Sequence, residues 1–232
     1  MKVVVVGGSS GIGEATARLF LEQGAEVVIA GRSEPRLQGA ATRLGEVRAE
    51  VADGANRNSV AALFERIGMF DHLVLALSGG RGAGPIASLS IDHLRSGLEG
   101  KLVAQITTLQ AALPYVQASV TLLSAATAAS ALPGTAGLAA INGAVEALVR
   151  PLAAELAPLR VNAVRPGVID TPWWDGVPSE FKASVFAQTS QTLPVKRVGK
   201  PEDVAAAVVM VATNGFVTGT IVDVSGGATL AR

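Results

Sequence analysis

Short apolar runs that recur along the whole chain, with longer segments of helical period between them, constrain its fold more than any other feature. The runs are 3–6, 26–30, 47–51, 72–77, 120–123, 160–164 and 220–224. They are apolar on both faces rather than alternating, as strands buried on both sides are. Segments such as 12–23, 59–67, 91–112, 136–156 and 201–212 repeat their apolar residues at helical spacing. Strands of this kind separated by helices imply a parallel sheet covered by helices on both sides. The expected class is therefore α/β, a doubly wound parallel sheet of seven strands in a single domain spanning 1–232. That length suits one domain with a large core. Only 166–200 reads as irregular, with both tryptophans and one short helical segment near 179–189. An excursion of that length in a compact domain reads as a substrate loop or lid.

The remaining composition excludes more than it assigns. With 19 basic and 19 acidic residues the net charge is zero, so no nucleic-acid groove or anionic membrane is expected as partner. No cysteine is present, which removes disulfides, thiolate metal sites and a cysteine nucleophile. His72 and His93 are too few for a metal site, so no metal is expected, and both are read as surface residues. A triad of serine, histidine and aspartate lacks supporting motifs. The apolar stretch 119–149 carries Glu146 as its only charge but is broken by Pro133, Gly134, Gly137 and Gly143, which argues against a membrane span. No signal peptide precedes the first strand, and a soluble cytoplasmic protein is the expectation. With 49% hydrophobic and 16% charged residues, part of the surface should pair with other subunits. The helix over 136–156, rich in Ala and Gly, offers the close-packing face for it.

The first strand runs into Gly7-Gly8-Ser9-Ser10-Gly11-Ile12-Gly13 and then directly into a helix. Gly7 permits the tight turn, Gly11 lets the backbone approach a pyrophosphate, and Gly13 lets helix and strand pack closely. Free N–H groups at the positive end of the helix then receive the phosphates. Opening a strand–helix–strand unit, this is a dinucleotide site. At the end of the second strand, Ala30-Gly31-Arg32-Ser33 offers no carboxylate for a ribose 2′-hydroxyl. Arg32 instead presents a fork of donors, and Ser33 a hydroxyl, to a 2′-phosphate, so NADP(H) is favoured.

From these residues onward the sequence resembles the short-chain dehydrogenase/reductase family along its whole length, a Rossmann-like fold. The glycine spacing matches, with Val6 where threonine is usual. The run 161–167, Val-Asn-Ala-Val-Arg-Pro-Gly, followed by Asp170-Thr171-Pro172, matches the segment facing the nicotinamide. Also matching are 197–204 and 218–227, the family's C-terminal segments. The resemblance implies that Pro166, Gly167, the backbone near Val168 and Ile169, and the Thr171 hydroxyl hold the carboxamide end. The cofactor-binding set is completed by Ser9, Ser10, Ile12, Glu50 and Val51. The helix over 136–156 would carry a homodimer or homotetramer interface.

The family's catalytic positions are filled differently. Its tyrosine and lysine, four residues apart on one helical face, fall on Leu138 and Asn142. Its serine falls on Ala125, with Ser124 adjacent, and its helix asparagine on Lys101. The Asn-Asn-Ala-Gly run reads Leu75-Ala76-Leu77-Ser78. The expected catalytic candidates are accordingly Lys101, an amine that desolvation can turn into an acid or base; Ser124, which can either orient a carbonyl or serve as a satisfied structural hydroxyl; and Asn142, which can bond a ribose hydroxyl. Trp173 and Trp174 form either a wall over the substrate or a clamp on the loop. The expected function is an atypical NADP(H)-dependent oxidoreductase acting on a small carbonyl- or alcohol-like substrate. The alternative is a non-catalytic NADP(H)-binding sensor or scaffold.

Overall fold

The structure, a computed structural model, describes residues 1–78 and 80–230. Seven strands form one parallel sheet: β1 (Lys2–Val6), β2 (Glu26–Gly31), β3 (Arg48–Val51), β4 (Phe70–Leu75), β5 (Val116–Leu123), β6 (Arg160–Pro166) and β7 (Ile221–Val224). Their order is β3-β2-β1-β4-β5-β6-β7. Every described pairing is parallel, from Lys2↔Glu26 between β1 and β2 to Pro166↔Val224 between β6 and β7. The chain winds outward one way from β1 and the other way from β4. The crevice beyond the carboxyl ends of these two central strands is where such sheets bind ligands.

The absence of alternation in the strands has its explanation in the two cores. Val3, Val4, Val5 and Val6 are all fully buried, because both faces of β1 are covered. On one side Val4, Val6, Leu73 and Val120 meet helices α3 (Arg57–Ile67), α5 (Ala104–Ala112) and α6 (Ala136–Glu155) through Phe64, Leu109, Val145 and Val149. On the other, Val3, Val5, Val27 and Ile29 meet α1 (Gly11–Glu22), α2 (Glu34–Leu44) and α8 (Pro201–Thr213) through Phe20, Leu37, Val204 and Val208. Each of these large side chains contributes about 1.5–3 kcal/mol by leaving water, which holds both helix layers to the sheet.

Three local differences from the sequence reading have physical causes. Helix α2 was not expected, because only Leu37 and Ala40 of its residues are buried, too few for a visible apolar stripe. The segment expected as one helix over 91–112 contains α4 (Ile91–Leu98), a π-helical stretch Glu99–Val103 and then α5. Strand β4 begins at Phe70, so His72 lies inside it rather than at its exposed start. The expectation of a surface role for His72 is corrected: its ring is buried, stacks on Phe20 and lies 2.8 Å from Ser119 Oγ through Nδ1. Burial pushes its pKa down, which favours the neutral ring. His93 is exposed, as expected. The loop region after β6 holds a 3₁₀ turn (Pro172–Gly176) and α7 (Ser179–Thr192). Among the described residues, no helix is long and apolar enough to cross a membrane, and no group of metal-ligating side chains occurs.

Candidate active site

The glycine turn between β1 and α1 is built where no side chain fits. Gly7, at φ +92°, donates its N–H to Ala30 O, and a Cβ there would lie 2.4 Å from Ala76 O. A Cβ on Gly13 would lie 2.1 Å from Gly7 O, so α1 starts in direct contact with the turn. Ser10 caps α1 without a side-chain hydrogen bond, and Ile12 and Gly13 form the helix's first turn. Their N–H groups are the ones a helix leaves without internal partners. This arrangement fits a pyrophosphate, as the residues suggested.

Ser9 and the Arg32–Ser33 pair share the end of β2. A Cβ built on Gly31 would lie 3.6 Å from Ser9 Oγ, and Arg32 follows directly, exposed and without an ion-pair partner among the described residues. Ser33 starts α2 with its hydroxyl unused as a cap. A tetrahedral anion at this corner would meet the Arg32 fork, two hydroxyls and the start of a helix. Glu50, by contrast, has both carboxylate oxygens engaged: Arg48 donates to Oε1 and Arg66 to Oε2. Burial works against ionisation of Glu50, but the two guanidiniums outweigh it and hold the carboxyl below its usual range. Val51 beside it is half exposed at the strand's end.

The segment after β6 is folded down onto the rest of the cleft. Gly167 donates to Val224 O, and the N–H of Gly199 donates to Val168 O. Thr171 reaches the glycine turn itself, since a Cβ on Gly11 would lie 3.1 Å from its Cγ2. Of the two roles left open for the tryptophans, one is seen in Trp174. Trp174 is a clamp: its Nε1 donates to Ile169 O at 2.9 Å and its ring sits edge-on to Phe186 of α7. Trp173 is 44% exposed, packs edge-on against Trp174, and its Nε1 lies 3.4 Å from where Gly80 would carry a Cβ. It therefore spans from the loop after β6 to the loop after β4.

Lys101 lies in the π-helical stretch, a form that clusters at functional sites. It is 9% exposed, and its Nζ donates to Ser124 O at 2.9 Å. Burial pushes its pKa down to about 8, with the charge of Glu146 opposing the shift. Asn142, on α6, spends both amide hydrogens, one on Thr127 Oγ1 at 3.0 Å and one on Leu138 O at 2.9 Å. Its Oδ1 is buried and has no partner. A buried acceptor left open at this place is what a ribose hydroxyl would satisfy. Leu138 is half buried, and its Cδ2 lies 3.8 Å from a Cβ built on Gly82 in the loop after β4.

Of the two readings open for Ser124, the hydrogen bonds show the structural one. Its hydroxyl is turned inward and donates to Glu146 Oε1 at 2.7 Å. Reasoning on the sequence missed three residues: Thr127, whose hydroxyl oxygen accepts from Asn142 while its own proton is uncommitted among the described residues, and the partly buried pair Glu146–Arg165. A signal for the pair was present. A lone charge in an apolar stretch of that length needs a partner.

A parallel doubly wound sheet with this glycine turn at its switch point defines a dinucleotide-binding oxidoreductase fold. The comparisons give the family. Residues 6–229 match the family model described as enoyl-(acyl carrier protein) reductase. The cis-4-hydroxycyclohexanecarboxylate dehydrogenase of Sinomonas cyclohexanicum is 34% identical, the match covering 97% of this chain and 95% of that protein. A small-chain dehydrogenase solved in complex with NADPH superposes with a TM-score of 0.88 at 31% identity, over 100% of this chain and 99% of that one. A short-chain oxidoreductase from Pseudomonas aeruginosa PAO1, solved with NADPH bound and described as containing an atypical catalytic center, gives 0.89 at 30% identity, over 100% and 96%. The chain belongs to the short-chain dehydrogenase/reductase family.

Proposed function

We propose that this protein is an NADPH-dependent reductase of a small carbonyl compound that uses Lys101, in place of the tyrosine–lysine pair, as its proton source. The observation that carries this reading is the burial of the Lys101 ammonium against Ser124 O, at the position the family gives to its helix asparagine. NADPH, when bound, supplies the hydride; every other requirement falls to the chain's own side chains. The turn Gly7–Gly13 holds the pyrophosphate, with the Ser9 and Ser10 hydroxyls beside it. Arg32 and Ser33 hold the 2′-phosphate, and Glu50 and Val51 border the adenine end. Asn142 Oδ1 accepts from a ribose hydroxyl. Pro166, Gly167, Val168, Ile169 and Thr171 hold the carboxamide end. The Thr127 hydroxyl, fixed by Asn142, donates to the substrate carbonyl, and Lys101 delivers the proton as the carbonyl oxygen gains charge. Leu138 and Trp173 give the substrate space apolar walls, and 166–200 acts as its lid.

Following NADPH consumption against a panel of aldehydes, ketones, imines and activated alkenes, with cofactor binding measured separately, tests the proposal. Oxidation of NADPH by members of the carbonyl set is expected. Tight binding with no turnover on any substrate would instead favour the second reading, a sensor or scaffold that binds NADPH without chemistry, which the leucine at position 138 supports.

Cofactor choice rests on Arg32. NADPH should bind more tightly than NADH, and Arg32→Ala should erase the difference, since the charge-assisted fork to a phosphate is lost. Equal affinities of the unaltered protein for the two cofactors in a calorimetric titration would contradict this.

Assembly rests on α6. Ala136, Ala140, Ala147 and Ala154 are exposed on its outer face, and a Cβ on Gly143 would point into open space. Small residues there allow a second helix to approach closely. Light scattering at micromolar concentration should report a homodimer or homotetramer built through this helix, and a monomer would refute it.

A further inference from the structure

Behind Lys101 runs a line of charges, partly buried at Glu146 and Arg165 and exposed at Asp223, for which the proposed reaction has no use. Ser124 joins the two: its carbonyl accepts from Lys101 Nζ, and its hydroxyl donates to Glu146 Oε1. That same Oε1 accepts from Arg165 Nε at 2.7 Å, and Oε2 accepts from Arg165 Nη2 at 2.5 Å. Arg165 Nη1 then reaches Asp223 Oδ2 at 3.4 Å, and Thr229 Oγ1 donates to the same oxygen. The line therefore alternates in sign, Lys101, Glu146, Arg165, Asp223, and sums to zero. Side-chain exposure is only 10% for Glu146 and 17% for Arg165.

A partly buried ion pair contributes little net stability, and apolar residues would fasten α6 to β6 as well. The pair needs another reason. We propose that Glu146 is a positioning residue for Lys101: its carboxylate, fixed by Arg165 and linked through Ser124, holds the ammonium in place and sets how readily it releases its proton. This rests on the reading of Lys101 as the acid, but it concerns the ionisation of the amine and is measurable without turnover. The charged groups facing Lys101 are few. Helix α6 contributes Glu146, the residue after β5 only the neutral Ser124, and β6 and β7 contribute Arg165 and Asp223 at increasing remove. In the segment of Lys101 itself Glu99 is exposed, α5 carries no charge, and Asp92, His93 and Arg95 of α4 are exposed to water. Glu146 supports the charged form of Lys101 against burial, and by Coulomb's law the positive Arg165 paired with that carboxylate should act the other way.

The two partners should therefore act on Lys101 with opposite sign, which a merely structural pair would not do. Glu146→Gln keeps an acceptor for Ser124 and Arg165 but removes the negative charge and exposes Lys101 to an uncompensated Arg165. Lys101 should then lose its proton more readily, by about tenfold in its acid constant or more. Arg165→Met frees the full charge of Glu146 for Lys101 and should make the proton harder to lose. Asp223→Asn, at a more exposed site, should act in the direction of Glu146→Gln but more weakly, and it serves if either buried variant fails to fold.

The measurement is a pH titration by NMR of lysines isotope-labelled at Cε, with the Lys101 signal assigned by its loss in Lys101→Met. Displacements of opposite sign in the Glu146 and Arg165 variants, or the Asp223 displacement alone if those do not fold, support the proposal. A Lys101 titration that is the same in every folded variant overturns it. If the NMR displacements appear while the protein turns over no substrate, the positioning role stands and the reading of Lys101 as a reductase acid fails. If turnover is present and its fall at high pH follows the same displacements, both stand.

Discussion

Replacing Lys101 by methionine is expected to leave NADPH affinity within a few-fold and to lower reductase turnover by about a hundredfold or more, the usual cost of a lost general acid. Methionine keeps the length and the apolar stem but removes the charge and the donor to Ser124 O. The pH dependence carries a sign. The protonated amine is the acid, so kcat/KM should fall as pH rises through about 8, the value to which burial brings Lys101. In Lys101→Met that fall should be gone. Stability runs the other way. The unfolded chain holds this proton up to the ordinary lysine value of 10.5, while the folded chain releases it near 8. Between those values the unfolded state binds more protons, so stability rises with pH, and the methionine variant should lose that rise. Steady-state rates across pH, with thermal melts over the same range, check both. Unchanged turnover in Lys101→Met would reject Lys101 as the acid.

The second large effect is expected at Gly13. A Cβ there would sit 2.1 Å from Gly7 O, a contact with backbone that no side-chain rotation relieves. Gly13→Ala must push α1 away from the turn, and with it the N–H groups that receive the pyrophosphate. NADPH affinity should fall by about a hundredfold or more, equivalent to about 2.7 kcal/mol, and melting should come earlier. Gly215→Ala, away from both the turn and the α6 face, is the matched control, because a methyl group there meets nothing within 4 Å. Titration of NADPH by quenching of the tryptophan fluorescence measures both. Tight binding by Gly13→Ala would contradict the placement of the cofactor on this turn.

The fold was legible because its strongest signals are local. Buried parallel strands are apolar on both faces, and the runs at 3–6 and 26–30 announced β1 and β2 to within a residue or two. Helix α2 escaped because two buried residues make no periodic stripe, and His72 was misplaced because a strand's first residue cannot be read from composition. The nucleotide half of the site was legible for a related reason: glycines close to one another in sequence build one turn. The chemical half depends on residues distant in sequence. Ser124 and Glu146 are 22 residues apart, and Glu146 and Arg165 are 19 apart, so no spacing rule joins them. Lys101 became a candidate only because the family resemblance supplied its position. Ser124 offered two readings of equal weight, and its hydroxyl bonds Glu146, 22 residues away, a partner that no spacing in the sequence places beside the strand end. Thr127 passed unnoticed for lack of a motif. Its significance comes from Asn142, which holds it in place.

Transfer of deuterium from NADPH labelled on both hydrogens of the nicotinamide C4 tests the central claim most directly. The label is followed by mass spectrometry into the products of the carbonyl panel. If the protein is a reductase of this kind, one deuterium appears on the former carbonyl carbon, NADPH is consumed in equal amount, and the added oxygen-bound hydrogen comes from solvent. Labelled NADPH recovered intact with every substrate, from protein shown to bind it, would contradict the claim.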